Sequence, residues 1–146
     1  MYLDPAPYAA EDAAPEGFFA IPDRSEAELS AGPFYMRTGA DGQAELGFRV
    51  RRSKVNTMGM CHGGLLATFA DIQVYALLGR LGVTGGTPTI SLSVDFVAPA
   101  PHRAWVHCVP ELVRRTNRMI FSTALIYADD VLCVRSNGIY SVRPPS

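Results

Sequence analysis

The chain has 146 residues, of which 48 % are hydrophobic and 18 % charged, with a formal net charge of −1. That length predicts one domain able to bury a core, the composition excludes a disordered chain, and the charge excludes general attraction to nucleic acid or an anionic membrane. Cys61, Cys108 and Cys133 are odd in number and show no CxxC spacing, which argues against a disulfide framework and reads as free thiols in a reducing compartment.

Residues 1–30 are rich in Ala, Pro and acids, with prolines at 5, 7 and 15. They are expected to form a loosely ordered arm that docks through Phe18, Phe19 and Ile21, with a short helix around Ser25 to Leu29. Asp4, Glu11, Asp12 and Glu16 stand where an export signal would be apolar, so a cytoplasmic location is expected. Residues 31–146 form the body. Its first two extended runs, Pro33–Thr38 and Ala44–Arg52, flank the turn-forming stretch Gly39–Gly42 and predict a hairpin.

One helix follows, from near His62 to the glycines at 79 and 82. Its interior, Leu65 to Leu78, is apolar on nearly every face and must be wrapped by other elements. Asp71 and Gln73 interrupt it, and it falls short of the roughly 20 residues that cross a bilayer, so no membrane span is expected. Four extended runs come next: Thr89–Val97, Ala104–Arg114, Met119–Tyr127 and Val131–Val142, the last two forming an antiparallel meander. Two strands, a buried helix and four strands predict an α+β fold, a curved antiparallel sheet around one central helix. A second copy is the natural cover for the surfaces such a sheet leaves open.

Two features of the helix carry chemistry. Gly63 and Gly64 fall in its first turn, where backbone N–H groups are free and the dipole is positive, so a carbonyl or oxyanion can approach closely. Close packing of the helix start on a strand is the alternative reading of those glycines. Asp71 is a carboxylate inside an apolar helix, and Ala67, Thr68, Tyr75 and Leu78 on its face offer no cation; a functional role is the expectation, with a solvated gap in the helix surface or an ion pair to an arginine as the alternative.

The segment Asn-x-x-Gly-x-x-His-Gly-Gly from Asn56 to Gly64, followed at position 71 by Asp, resembles the signature of the PaaI-type hotdog thioesterases of the 4-hydroxybenzoyl-CoA thioesterase superfamily. The run Thr89 to Pro99 is similar to a strand of that family, and the resemblance spans roughly residues 33 to 143. It implies hydrolysis of an acyl-CoA thioester, with Asp71 as general base or nucleophile and the Gly63 amide polarising the carbonyl. Asn56 would lie near the leaving sulfur or attacking water, His62 beside the site, and Thr89 where a hydroxyl orients water; Gly64 would contact substrate. No metal or other cofactor is implied. A non-catalytic acyl-CoA sensor of the same fold is the alternative.

Gly63 and Asp71 are eight residues apart on one helix, about 12 Å at 1.5 Å per residue. Both can serve one carbonyl only if the base of one subunit faces the oxyanion site of another, so a homodimer is the minimal unit; a homotetramer is the expected assembly, without following from this distance. Arg114, Arg115 and Arg118 cluster at one turn and are candidates for the coenzyme A phosphates, with Arg51, Arg52 and Lys54 as the other group. His107 and Cys108 are adjacent on a strand and point to opposite faces, which argues against a metal site.

Overall fold

The computed structural model describes residues 13–22 and 25–145; what the sequence suggests for residues 1–12 lies outside them. Strand β1 (Phe19–Ala20), helix α1 (Glu26–Ala31) and the hairpin β2 (Tyr35–Thr38) and β3 (Ala44–Arg49) open the chain. A 3-10 turn at Arg52–Lys54 leads to helix α2 (Gly63–Asp71), a 3-10 segment Ile72–Val74 and helix α3 (Tyr75–Leu81). Strands β4 (Thr89–Phe96), β5 (Trp105–Cys108), β6 (Glu111–Arg115), β7 (Met119–Ala128) and β8 (Val131–Ser141) complete it. The strands form one eight-stranded sheet in the order β1-β2-β3-β5-β7-β8-β4, with β6 paired to β7, and every pairing is antiparallel.

Alternation along the long hairpin decides which face is the core. Ile120, Ser122, Ala124, Ile126 and Ala128 of β7 are buried while Leu125 is exposed, and Val134, Ser136, Gly138 and Tyr140 of β8 repeat the period of two. Leu66, Phe69, Ala70, Ile72, Val74, Ala76 and Leu77 of the helical segment face that surface. Phe69 is fully buried, 4.9 Å from Phe48 and 5.7 Å from Phe34 between ring centroids. Removing such a ring from water contributes about 2–3 kcal/mol. The helical segment ends at Gly82, whose φ of +63° turns the chain out.

The sheet wrapped on a central helix is as the sequence predicts, with three differences. The run Ala104–Arg114 is two strands, β5 and β6, because Pro110 between them has no N–H to donate to the ladder. In the arm, Phe18 packs edge-on to Trp105 at 5.0 Å and Ile21 is buried, whereas Phe19, in a short strand, stays 49 % exposed rather than docking. Finally, the helical segment Gly63–Leu81 runs 19 residues and has the length and composition of a membrane span. Its large apolar side chains enter or pack against two buried clusters, one around Leu66, Phe69 and Ile72 and one around Val74 and Leu77.

The predicted short helix is α1, started by a capping box in which Ser25 Oγ accepts the Glu28 N–H and Glu28 accepts the Ser25 N–H. It is fastened to the body twice. Tyr75 Oη donates to Glu28 Oε1 at 2.6 Å, and Lys54 Nζ donates to the Ser30 carbonyl at 2.6 Å.

Candidate active site

The helix start is built by the loop before it. Val55 and Cys61 form an isolated antiparallel bridge. Asn56 Oδ1 accepts the N–H groups of Met58 at 2.9 Å and Met60 at 3.2 Å, closing the turn between them. The Asn56 carbonyl oxygen is thus engaged within the loop, and among the described residues its amide NH2 has no acceptor. His62 is the N-cap of α2: its Nδ1 accepts the Gly64 N–H at 3.0 Å, leaving the neutral ring with its proton on Nε2.

Gly64 therefore has its N–H occupied, while no acceptor among the described residues takes the N–H of Gly63 at the first helical position. The donor lies at the positive end of the helix. A Cβ built on Gly63 would meet the Phe96 ring at 3.5 Å, an ordinary contact, so packing within the chain does not demand glycine there. That removes the main support for the packing role considered above. A cavity of about 460 Å³ opens beside this helix start, lined by Ala27, Ser30, Lys54, His62, Gly64 and Leu65 among others.

Asp71 is the last residue of α2 and is half-buried. Thr89 Oγ1 donates to its Oδ1 at 2.7 Å, so the structure joins two residues that the sequence separates by a helix and a loop. No ion pair to Asp71 is formed among the described residues. Its backbone carbonyl accepts the Tyr140 hydroxyl at 2.7 Å. Burial, and then the Asp71 charge, push the Tyr140 phenol up, so it remains a donor at any neutral pH.

The arginines divide. Arg115 and Arg118 line a cavity of about 580 Å³ beyond the end of α3, joined there by Arg143. Arg115 is anchored through Nη1 to the Leu81 carbonyl at 3.2 Å. Arg114 is not among the lining residues; as the neighbour of Arg115 on β6 it faces the other way. In the other basic group, Lys54 is tied to Ser30, and its pKa is lowered by burial and by nearby Arg51. The cysteines are poor nucleophiles: burial pushes the Cys61 thiol up to about 12 and Cys133 up to about 11, and raises Cys108 as well.

The structure thus groups His62, Gly63 and Gly64 at one end of α2, Asp71 and Thr89 at the other, and Arg115 and Arg118 beyond α3. Arg143 escaped the sequence reading because it lies far along the chain from the other two. Tyr140 escaped it because a tyrosine in a strand reads as packing, and Gln73 registered only as an interruption of the apolar helix.

The pattern of the family described as Thioesterase superfamily matches residues 58–134. A Pseudomonas aeruginosa protein provisionally named an esterase, PA0474, is 28 % identical over 127 residues, covering 86 % of this chain and 95 % of that one. Among solved structures, the Escherichia coli PaaI protein from the phenylacetic acid degradation operon superposes with a TM-score of 0.72 at 16 % identity, covering 84 % of this chain and 88 % of that one. A hypothetical thioesterase of Streptococcus pneumoniae, solved with coenzyme A, gives 0.68 at 17 % identity, covering 80 % and 91 %. At such identities the likeness shows a common fold, the hotdog fold.

Proposed function

The chain belongs to the thioesterase superfamily, and from that premise we propose that it hydrolyses an acyl-CoA thioester to the free acid and coenzyme A, with Asp71 as its catalytic carboxylate. The observation that carries the reading is a half-buried carboxylate with no cation paired to it among the described residues, held by the Thr89 hydroxyl at 2.7 Å, on the same helix as the Gly63 N–H, which no described residue accepts. The Thr89 hydroxyl gives this carboxylate a fixed direction in place of a counter-charge. The thioester carbonyl lies against the Gly63 N–H, where its developing negative charge meets a fixed donor and the positive helix end. Asp71 either takes a proton from a water that adds to the carbonyl and passes that proton to the departing thiolate, or attacks the carbonyl itself to give a mixed anhydride that water then hydrolyses; in both cases the C–S bond breaks and coenzyme A leaves as the thiol. The coenzyme A solved with the Streptococcus pneumoniae thioesterase supports this choice of substrate class.

Gly63 and Asp71 are the first and last residues of α2, a helix of nine residues, so their backbones lie about 12 Å apart along its axis. One carbonyl cannot contact both ends, and the site is shared between two copies. Strand β4 supports this assembly: among the described residues it pairs with β8 alone, and Ile90, Phe96 and the adjoining Val97 are exposed along it. A second copy added to that open edge would satisfy its backbone and cover those side chains. The cavity with Arg115, Arg118 and Arg143 is the place for the phosphates.

Thiol release from a panel of aromatic, short-chain and medium-chain acyl-CoA thioesters tests the proposal. Turnover of at least one substrate is expected, and Asp71→Asn should lower it at least about 10²-fold with folding and assembly intact. Wild-type turnover by that variant would remove Asp71 from the mechanism. Tight binding with no hydrolysis across the panel would favour the acyl-CoA sensor instead.

A further inference from the structure

The central helix is broken immediately after Asp71, and the break is held by polar groups from the sheet. In a continuous α-helix the Asp71 carbonyl would accept the Tyr75 N–H. Here Tyr75 donates to the Ile72 and Gln73 carbonyls, the tighter pattern of the 3-10 segment Ile72–Val74. The Asp71 carbonyl instead accepts the Tyr140 hydroxyl of β8 at 2.7 Å. One residue earlier, the Ala70 carbonyl accepts Gln73 Nε2 at 2.8 Å. That nitrogen also donates to Ser136 Oγ of β8 at 3.1 Å, and Gln73 Oε1 accepts Ser122 Oγ of β7 at 2.8 Å.

Gln73, Ser122 and Ser136 are the polar side chains buried among the described residues, and all three belong to this one network. Core stability alone would be served as well by apolar side chains of the same shape, so their concentration beside Asp71 needs another reason. Register supplies it. Thr89 of β4 is the cross-strand partner of Tyr140 of β8, and such partners present their side chains on the same face. The two hydroxyls hold Asp71 from neighbouring strands, Thr89 by the carboxylate and Tyr140 by the backbone. Room for the phenol comes from Gly138, where a Cβ would fall 2.5 Å from Tyr140 Oη.

We infer that Tyr140 and Gln73 are positioning residues: with Ser122 and Ser136 they fasten the helix break to β7 and β8 and so fix where the Asp71 carboxylate stands relative to Thr89. The inference rests on the proposed role of Asp71 and adds the part of the sheet that acts through it. A displacement on the order of 1 Å at a reacting group is enough to slow a reaction severely.

The test is a double-mutant cycle on the full chain, read by thiol release from the best acyl-CoA substrate of the panel. Tyr140→Phe, which removes one oxygen, should lower kcat about tenfold with KM within about twofold of wild type. In the Asp71→Asn background it should lower the residual rate no further, while its effect on thermal stability is the same in both backgrounds. Ser136→Ala, which frees Gln73 on one side, should give a smaller fall of the same kind and guards against poor folding of the first variant. Wild-type kcat for both variants, or an equal fractional loss with and without the Asp71 carboxylate, would overturn positioning and leave the role of Asp71 intact. Wild-type turnover by Asp71→Asn would overturn both.

Discussion

The two ends of helix α2 are held in different ways. At its start, His62 caps Gly64 two residues on and Asn56 closes the turn to Met58 and Met60, all within one stretch of nine residues from Asn56 to Gly64. At its end, Asp71 is held by Thr89 and Tyr140, 18 and 69 residues away in the chain. A donor that needs only a free N–H can be made locally. A half-buried carboxylate that needs a direction is given one by the sheet.

The strongest way to break this contrast is to delete the local donor and nothing else. Proline is favoured at the first position of a helix, and His62 before it already has the extended backbone that a following proline requires, at φ −62° and ψ 133°. Gly63→Pro should therefore keep the helix and its melting temperature while lowering kcat by about 10²- to 10³-fold, the cost of one lost oxyanion donor. Thiol-release kinetics beside thermal melting separate the two effects. An unchanged kcat would place the carbonyl elsewhere.

The region beyond the far end sharpens the comparison through substrate affinity. Replacing Arg115, Arg118 and Arg143 together by Ala should raise KM for acyl-CoA thioesters roughly tenfold with a smaller change in kcat, because phosphate contacts hold ground and transition states alike. Arg114→Ala, outside that cavity, should leave KM unchanged. The same KM from all the variants would move the phosphates to the basic group around Arg51.

The smallest effect is expected at the cap. His62→Ala removes the acceptor of the Gly64 N–H and should cost about 1 kcal/mol in urea unfolding, with His62→Asn restoring most of it. Equal stability of all three proteins would show that the His62 to Gly64 bond contributes nothing and that the helix start is held by the loop alone.

The same contrast explains what was legible in the sequence. The run from Asn56 to Gly64 could be read because its hydrogen bonds join residues a few positions apart, and the helix because its apolar pattern is continuous. The long β7–β8 hairpin could be read from alternation and its Asp129-Asp130 turn. Pro110 divides a strand that apolar pattern alone runs together. The clasp on Asp71 was half legible: Thr89 could be placed by resemblance, whereas the Tyr140 contact depends on the register of β4 on β8, which contains an irregularity between Thr89 and Ser91. Register is set by three-dimensional pairing, and a shift of one residue would turn Tyr140 to the other face. Arg143 joins Arg115 and Arg118 for the same reason, because β7 lies between β6 and β8 and brings the end of one beside the end of the other.

The central claim is that Gly63 and Asp71 act together across two copies, and mixing two inactive proteins tests it most directly. Gly63→Pro and Asp71→Asn are combined under conditions of subunit exchange, with exchange followed by mass spectrometry. A mixed dimer has one site carrying both defects and one carrying neither; at full random exchange half the dimers are mixed, so thiol release should recover to about a quarter of wild-type specific activity. Verified exchange with no recovery would contradict the claim and mean that each chain builds its site alone.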